Sequence, residues 1–167
     1  MEQSALELRP LSEGDLDAVQ DLHVRAFSEL ARDWHTAEQI HAHVRAIQHP
    51  AYRDELLVNN LICAMGPRDR ILGTAGWRAQ PGRDDTARIR KVFVDPALAR
   101  QGLGSRLVRA VEDRARAVGF RHFYVRANMN AVALYKRLGY SEIERGTMPV
   151  GHGVTLPVMY MEKLAPG

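Results

Sequence analysis

The sequence predicts a mixed α/β domain with the element order β-α-α-β-β-β-α-β-α-β-β. Three observations carry that reading. Short alternating or β-rich apolar runs are separated by stretches whose apolar residues recur at helical spacing. Turn signals such as "GPRDR", "QPGRDD", Pro96, Gly119 and Gly139 punctuate these segments. The 167 residues, 46% hydrophobic and 26% charged, suffice for one core without disulfides or metals. No internal repeat, low-complexity tract or long linker divides the chain, so residues 1–167 are read as one domain.

The elements follow in order. "ALELRP" alternates apolar and polar residues and ends at Pro10, a first strand. Ser12 is an N-cap with Asp15 three residues on, and Leu16, Val19, His23, Ala26 and Leu30 then keep helical spacing. Thr36 opens a second helix with Ile40, Val44 and Ile47 on one face, stopping before Pro50. "ELLVNNLICAM" and "RILGTAGWRAQ" read as two strands joined by "GPRDR". After the turn "QPGRDD", the strand "ARIRKVFVD" closes at Pro96. Leu103, Leu107, Val108, Val111 and Ala115 make the apolar face of a helix that stops near Gly119. "RHFYVRA" is a strand, and Ala131, Leu134, Tyr135 and Leu138 mark a short helix ending at Gly139. "YSEIERGT" and "LPVMYMEKL" complete the chain as strands around a Pro/Gly turn.

Composition excludes several classes. No apolar run approaches the roughly 18 residues of a membrane span. "MEQSALELRP" lacks the basic and apolar regions of a signal peptide. The lone Cys63, in "LICAM", reads as a buried structural thiol and suits a reducing cytoplasm, the expected location. A net charge of +3, with arginines outnumbering lysines, suits a small polyanionic ligand better than nucleic acid, which calls for a dense basic stripe. His35, His41, His43 and His49 offer one i,i+2 pair and no metal-ligand spacing, so no metal is expected.

The chemistry concentrates in "VDPALARQGLGSRLVRAVEDRA". Gly102 and Gly104 lie where a strand has ended and a helix begins. Gly102 can take a positive φ, and the first helical N–H groups lack internal partners. The helix dipole adds positive potential, so the loop can cradle an oxyanion or phosphate, with Arg100 and Arg106 close in sequence. A purely structural turn explains two glycines equally well. The dinucleotide fingerprint fails because Leu107 stands where a third small residue belongs, and the Walker loop fails because Ser105-Arg106 follows Gly104.

"VFVDPALARQGLGSRLV" resembles motif A of the GNAT N-acetyltransferase superfamily: an apolar strand ending in Val-x-Pro, then Gln/Arg-x-x-Gly-x-Gly/Ala. "NMNAVALYKRLGY" is similar to that family's Asn-x-x-Ala-x-x-x-Tyr-x-x-x-Gly-Phe/Tyr, at the expected distance. The close resemblance spans about residues 87–140. The family's opening Gln/Arg falls on Ala99, with Arg100 and Gln101 following, so its side-chain contact is not carried over.

The resemblance implies a splayed central sheet binding CoA and acetyl transfer from acetyl-CoA to an amine in a ternary complex. It implies a diphosphate on the amides of Gln101, Gly102, Leu103, Gly104 and Ser105, with Arg100 alongside. The pantetheine arm would pair with Val92, Phe93 and Val94, the Val92 N–H facing the thioester carbonyl. Asn128 matches the family's CoA-contacting asparagine, near Asn130 and Ala131; Asn130 alternatively caps the helix. Tyr135 matches the tyrosine that protonates the leaving thiolate, whereas its spacing alone suggests packing.

The general base stays open. "TARIRKVFV" carries no carboxylate, and Asp84, Asp85, Glu142, Glu144 and His152 are candidates elsewhere. The acceptor site implied by the resemblance spans Phe27 to His49 and Met148 to Leu156, with Trp34, His35 and Trp77 as lining candidates and Trp77 alternatively in the core. Its basic strand residues tolerate an anionic or neutral acceptor better than a polycation. A homodimer is a further family expectation. A CoA-binding sensor without catalysis is the alternative reading.

Overall fold

The computed structural model describes residues 6–164. One seven-stranded sheet runs through it in the order β1-β2-β3-β4-β5-β7-β6. Its strands are β1 (Glu7–Pro10), β2 (Ile62–Met65), β3 (Ile71–Gln80), β4 (Arg83–Val94), β5 (His122–Asn128), β6 (Ser141–Gly151) and β7 (Val154–Leu164). The helices are α1 (Leu16–Leu30), α2 (Ala37–Gln48), α3 (Ala51–Leu57), α4 (Leu103–Ala117) and α5 (Val132–Arg137). Among the described residues only β4 and β5 pair in parallel, with α4 as the crossover between them. Ala5, the first residue of the predicted strand, lies outside the described residues.

Two cores cover the two sheet faces. α4 and α5 bury Leu103, Leu107, Val108, Val111, Tyr135 and Leu138 against Ala87, Ile89, Phe123, Val125 and Ala127. α1, α2 and α3 bury Leu16, Val19, Leu22, Phe27, Ile47 and Leu56 with Cys63 and Leu156 on the opposite face. Alternation along β4 and β5 thus sends Ala87, Ile89, Phe123 and Val125 toward α4, leaving Arg88, Arg90, Tyr124 and Arg126 on the side of α1 to α3. Cys63 is fully buried, and desolvation pushes its thiol up to about 11, as a structural thiol requires.

The second helix start follows its sequence signal at Thr36, whereas Ser12 caps a 3-10 turn, Glu13–Asp15, that leads into α1, whose own N-cap is Asp15. The Ser12 N–H donates to the Asp15 carboxylate at 2.8 Å, and Asp15 also accepts two bonds from Arg9, at 2.7 and 2.9 Å. The Thr36 hydroxyl accepts from the Gln39 N–H at 3.1 Å, and the Thr36 N–H donates back to Gln39 Oε1 at 2.9 Å.

The main departure is at residues 51–65. "ELLVNNLICAM" is not one strand: α3 occupies its first part and only Ile62–Met65 is strand. Pro50 precedes α3, where its missing N–H costs nothing, and Tyr52 and Leu56 bury one helical face four residues apart. The chain then turns through Asn60 at φ 44. The final hairpin is longer than expected, and its turn at His152 and Gly153 has positive φ at both residues, which suits a two-residue connection.

Candidate functional site

β4 and β5 are paired only from Thr86↔His122 to Ile89↔Val125. Beyond Ile89, β4 stays bonded to β3 while β5 stays bonded to β7, so a wedge opens between them. The β5-facing backbone of residues 90–94 therefore has no strand partner on that side, leaving ladder groups available to an extended ligand.

A bulge shapes the wedge wall. Gly76 pairs with Arg90 and Thr74 with Phe93, so Ala75 faces two residues, Lys91 and Val92. Lys91 takes φ 56, an uncommon conformation for a side-chain-bearing residue. A buried hydrogen-bond chain holds it there. The Thr74 hydroxyl donates to the Lys91 carbonyl at 2.7 Å. Having spent its proton, that hydroxyl accepts from His23 Nε2 at 2.7 Å, which leaves His23 Nδ1 to accept from the Tyr52 hydroxyl at 2.6 Å. Burial, helped by Lys91 and His43, drives the His23 imidazole pKa well down, so the ring is neutral and its tautomer fixed by its partners. His23 also stacks on Phe93, with ring centroids 4.0 Å apart.

At the far end of β4, Asp95 is buried and accepts from the Ala97 N–H at 3.0 Å. Burial opposes its ionisation, but that N–H together with Arg70 and Arg25 holds the carboxyl below its ordinary value. The loop then passes through Arg100 at φ 63 and Gly102 at φ 84, the residue preceding α4. No atom lies within 4 Å of a Cβ built at Gly102, so backbone conformation demands glycine there. The amides of Leu103, Gly104 and Ser105 begin α4, and the first intrahelical bond comes from Arg106 N–H to the Gly102 carbonyl at 3.1 Å. Their loop is anchored to the wedge: a Cβ on Gly104 would lie 3.7 Å from Val94 Cγ2 and 3.4 Å from Leu134 Cδ2.

Tyr135 is 3% exposed and sits edge-on to Tyr140 at 5.3 Å. Burial, and secondarily Glu112, raises its phenol pKa, keeping it protonated. Tyr140 in turn donates to the buried Glu112 at 2.7 Å, and Lys163 donates to the same carboxylate at 3.0 Å. Asn128 lines the wedge. Asn130 does not cap α5, whose N-cap is Ala131, and its buried Oδ1 is without a partner among the described residues. An orphaned acceptor of this kind calls for a donor from outside the chain.

On the α1–α3 side the wedge continues as a cleft of about 100 Å³, lined among others by His43, Tyr52, Arg88, Arg90, Lys91 and Arg126. A larger hollow of about 220 Å³, lined by Gln20, Asp21, Val24 and Gln48, brings no comparable chemistry together. Burial lowers the His43 pKa to about 4, with Lys91 and His35 adding to the shift. Burial also brings Lys91 down to about 8, partly offset by its 2.6 Å bond to Glu55. Glu55 is desolvated in part, yet Lys91 and Arg90 hold its carboxyl below the ordinary value.

Several candidates fall outside this cleft. Asp84 and Asp85 are exposed at the start of β4, Asp85 facing His122 at 3.1 Å. Glu142 pairs with Lys136 at 2.7 Å, while Glu144 and His152 are exposed on β6 and its turn. Trp34 is mostly solvent-exposed, and Trp77 packs edge-on to Phe120 at 5.2 Å against the α4 core. His35 stacks on Phe27, which also meets His43. Sequence reasoning does not reach Tyr52, Glu55 or the His23 chain; the signal for Tyr52 and Glu55 lies in "AYRDELL", whose helical spacing the apolar run after it masks.

Residues 16–140 match the acetyltransferase (GNAT) family. An uncharacterised N-acetyltransferase of Escherichia coli K12, YjgM, is 28% identical over 86 residues, covering 49% of this chain and 52% of that protein. The match thus spans about half of the relative's length. Among solved structures, a GCN5-related N-acetyltransferase from Rhodopseudomonas palustris superposes with TM-score 0.85 at 25% identity, covering 98% of both chains. An N-acetyltransferase named PaiA from Thermoplasma acidophilum, solved with coenzyme A, gives 0.77 at 15% identity over 96% of this chain and 99% of that one. YncA from Salmonella typhimurium, solved with acetyl-CoA, gives 0.66 at 20% identity over 98% and 96%.

Proposed function

The chain belongs to the GNAT acetyltransferase family, and from that premise we propose that it transfers the acetyl group of acetyl-CoA to a primary amine. The observation that carries the reading is the wedge between β4 and β5, with free helix-start amides at its end. The residues suit the donor. The amides of Leu103, Gly104 and Ser105, beside Gln101, Gly102 and Arg100, offer an oxyanion cradle for a diphosphate. Val92, Phe93 and Val94 offer unpaired backbone to the pantetheine amides, and Asn130 Oδ1 offers an acceptor that nothing among the described residues satisfies.

In the proposed reaction the amine nitrogen attacks the thioester carbonyl and the C–S bond breaks. The Val92 N–H, pinned by the bulge and the His23 chain, stabilises the oxygen on which negative charge develops. Tyr135, protonated because it is buried, gives its proton to the departing thiolate.

The amine must arrive as a free base, and no carboxylate lines the cleft among the described residues. The surroundings supply much of what a base would do. Lys91, an alkylammonium in this cleft, falls from 10.5 to about 8 through desolvation even with Glu55 beside it. A substrate ammonium in the same place loses its proton more readily for the same reason.

Thiol release from acetyl-CoA over a panel of primary amines tests the reading. Release that depends on an amine, with an N-acetyl product, supports it. Tight CoA binding without release for every amine replaces it with a CoA-binding sensor.

A further inference from the structure

We propose that the acceptor is a small primary amine that carries an oxyanion, a carboxylate or a phosphonate, and that Arg88, Arg90 and Arg126 bind that group. The inference rests on the transfer reading and names its substrate class.

Four cations, Arg88, Arg90, Lys91 and Arg126, line the cleft without a carboxylate among its lining residues. The nearest acid, Glu55, is already committed to Lys91 at 2.6 Å and reaches Arg90 only at 3.8 Å. Arg88 and Arg126 have no carboxylate within 4.0 Å among the described residues. Topology creates the cluster: Arg88 and Arg90 alternate on one face of β4, while Arg126 enters on the same face of β5 as the strands part.

Like charges gathered in a half-buried cleft repel one another. Arg88 is pushed down to about 10, by burial first and then by Arg90 and Arg126. A guanidinium stays protonated regardless, so the cleft holds poorly solvated, mutually repelling cations whose charge a bound anion offsets. Guanidinium forks match the paired oxygens of a carboxylate or phosphonate. The donor's diphosphate is not that anion, since its cradle adjoins Val94, six residues and roughly 20 Å along the strand from Arg88. The cleft, at about 100 Å³, also limits the anion-bearing part to a small group.

The experiment compares kcat/KM of the full chain with acetyl-CoA and four acceptor sets. These are L-amino acids, their uncharged amides, aminoalkylphosphonates and spermidine. The acids or the phosphonates are expected to exceed the amides and spermidine by at least about 10-fold, and their relative rates distinguish the two oxyanions. Arg126→Gln is expected to collapse the acid-over-amide preference by roughly 10- to 100-fold, through KM, as loss of a charged hydrogen bond implies. Arg126→Lys restores part of it. Amides or spermidine equalling the acids overturn the oxyanion subsite while leaving acetyl transfer standing. If no amine releases CoA, the transfer reading fails instead, and calorimetric binding of N-acetyl amino acids to wild type and Arg90→Gln decides the subsite alone. Weaker binding to the variant supports it, and equal binding overturns it.

Discussion

For the proposed transfer, an ammonium with little water around it and Arg90 and Arg126 nearby binds its proton less tightly, as Lys91 does, lowered from 10.5 to about 8. The protonated amine cannot attack, so activity rises as pH rises through the depressed value. In kcat, which reports the bound state, the limb for a simple primary amine is expected near pH 8 or below. A limb at the 9–10 of free amines contradicts the account. Arg126→Gln removes a positive charge and should move the limb upward. Tyr135 is tested separately. Tyr135→Phe keeps the packing against Tyr140 but deletes the proton donor, and should lower kcat about 100-fold while the Kd for CoA changes by less than about threefold. Equal losses in both quantities would return Tyr135 to a packing role.

At the scale of elements, the bulge in β4 shapes the wall on which the proposed transfer would take place. Its support is a single buried chain from Tyr52 through His23 and Thr74 to the Lys91 carbonyl. His23→Leu leaves the Tyr52 hydroxyl without its acceptor, at a cost of about 1–3 kcal/mol, and removes the donor that orients the Thr74 hydroxyl toward the Lys91 carbonyl. The variant should unfold at lower urea concentration and, at saturating acetyl-CoA, show a reduced kcat; an unchanged kcat would detach the bulge from catalysis. Much of the frame was legible in the sequence. Glycines before and after α4, with an apolar face between them, mark a helix unambiguously. The α3 helix was not legible, because "ELL" runs straight into the apolar strand "LICAM" and the two-residue burial of Tyr52 and Leu56 is too short a period to separate them. With α3 went Glu55 and the far end of the His23 chain. The bulge itself leaves no mark in "RIRKVFV", since only cross-strand register reveals it. The arginine cluster was half visible: Arg88 and Arg90 alternate on one strand, but Arg126 joins them only through the parallel crossover.

For the whole molecule, two cores on opposite sheet faces place the glycine loop with α4 and the cationic cleft with α1 to α3, so one sheet separates yet connects them. No helix among the described residues is long and apolar enough to cross a membrane. The fold also carries a pH dependence of stability. His23, His35 and His43 all have pKa values lowered by burial. Below the unfolded value of 6.5 the unfolded chain binds protons that the folded chain refuses. The stabilisation is therefore complete above 6.5 and lost as pH falls. His23 alone withdraws about 1.4 kcal/mol per pH unit until its folded pKa is reached. Urea unfolding at pH 7.5 and 5.5 should show the lower-pH form less stable by at least about 1 kcal/mol; equal midpoints would contradict burial of these imidazoles.

The most direct test of the central claim is a crystal structure of the chain with acetyl-CoA bound. The diphosphate is expected on the amides of Leu103, Gly104 and Ser105, the arm between β4 and β5, and the sulfur beside the Tyr135 hydroxyl. A donor bound elsewhere, or a wedge closed by pairing of residues 90–94 with β5, would contradict it.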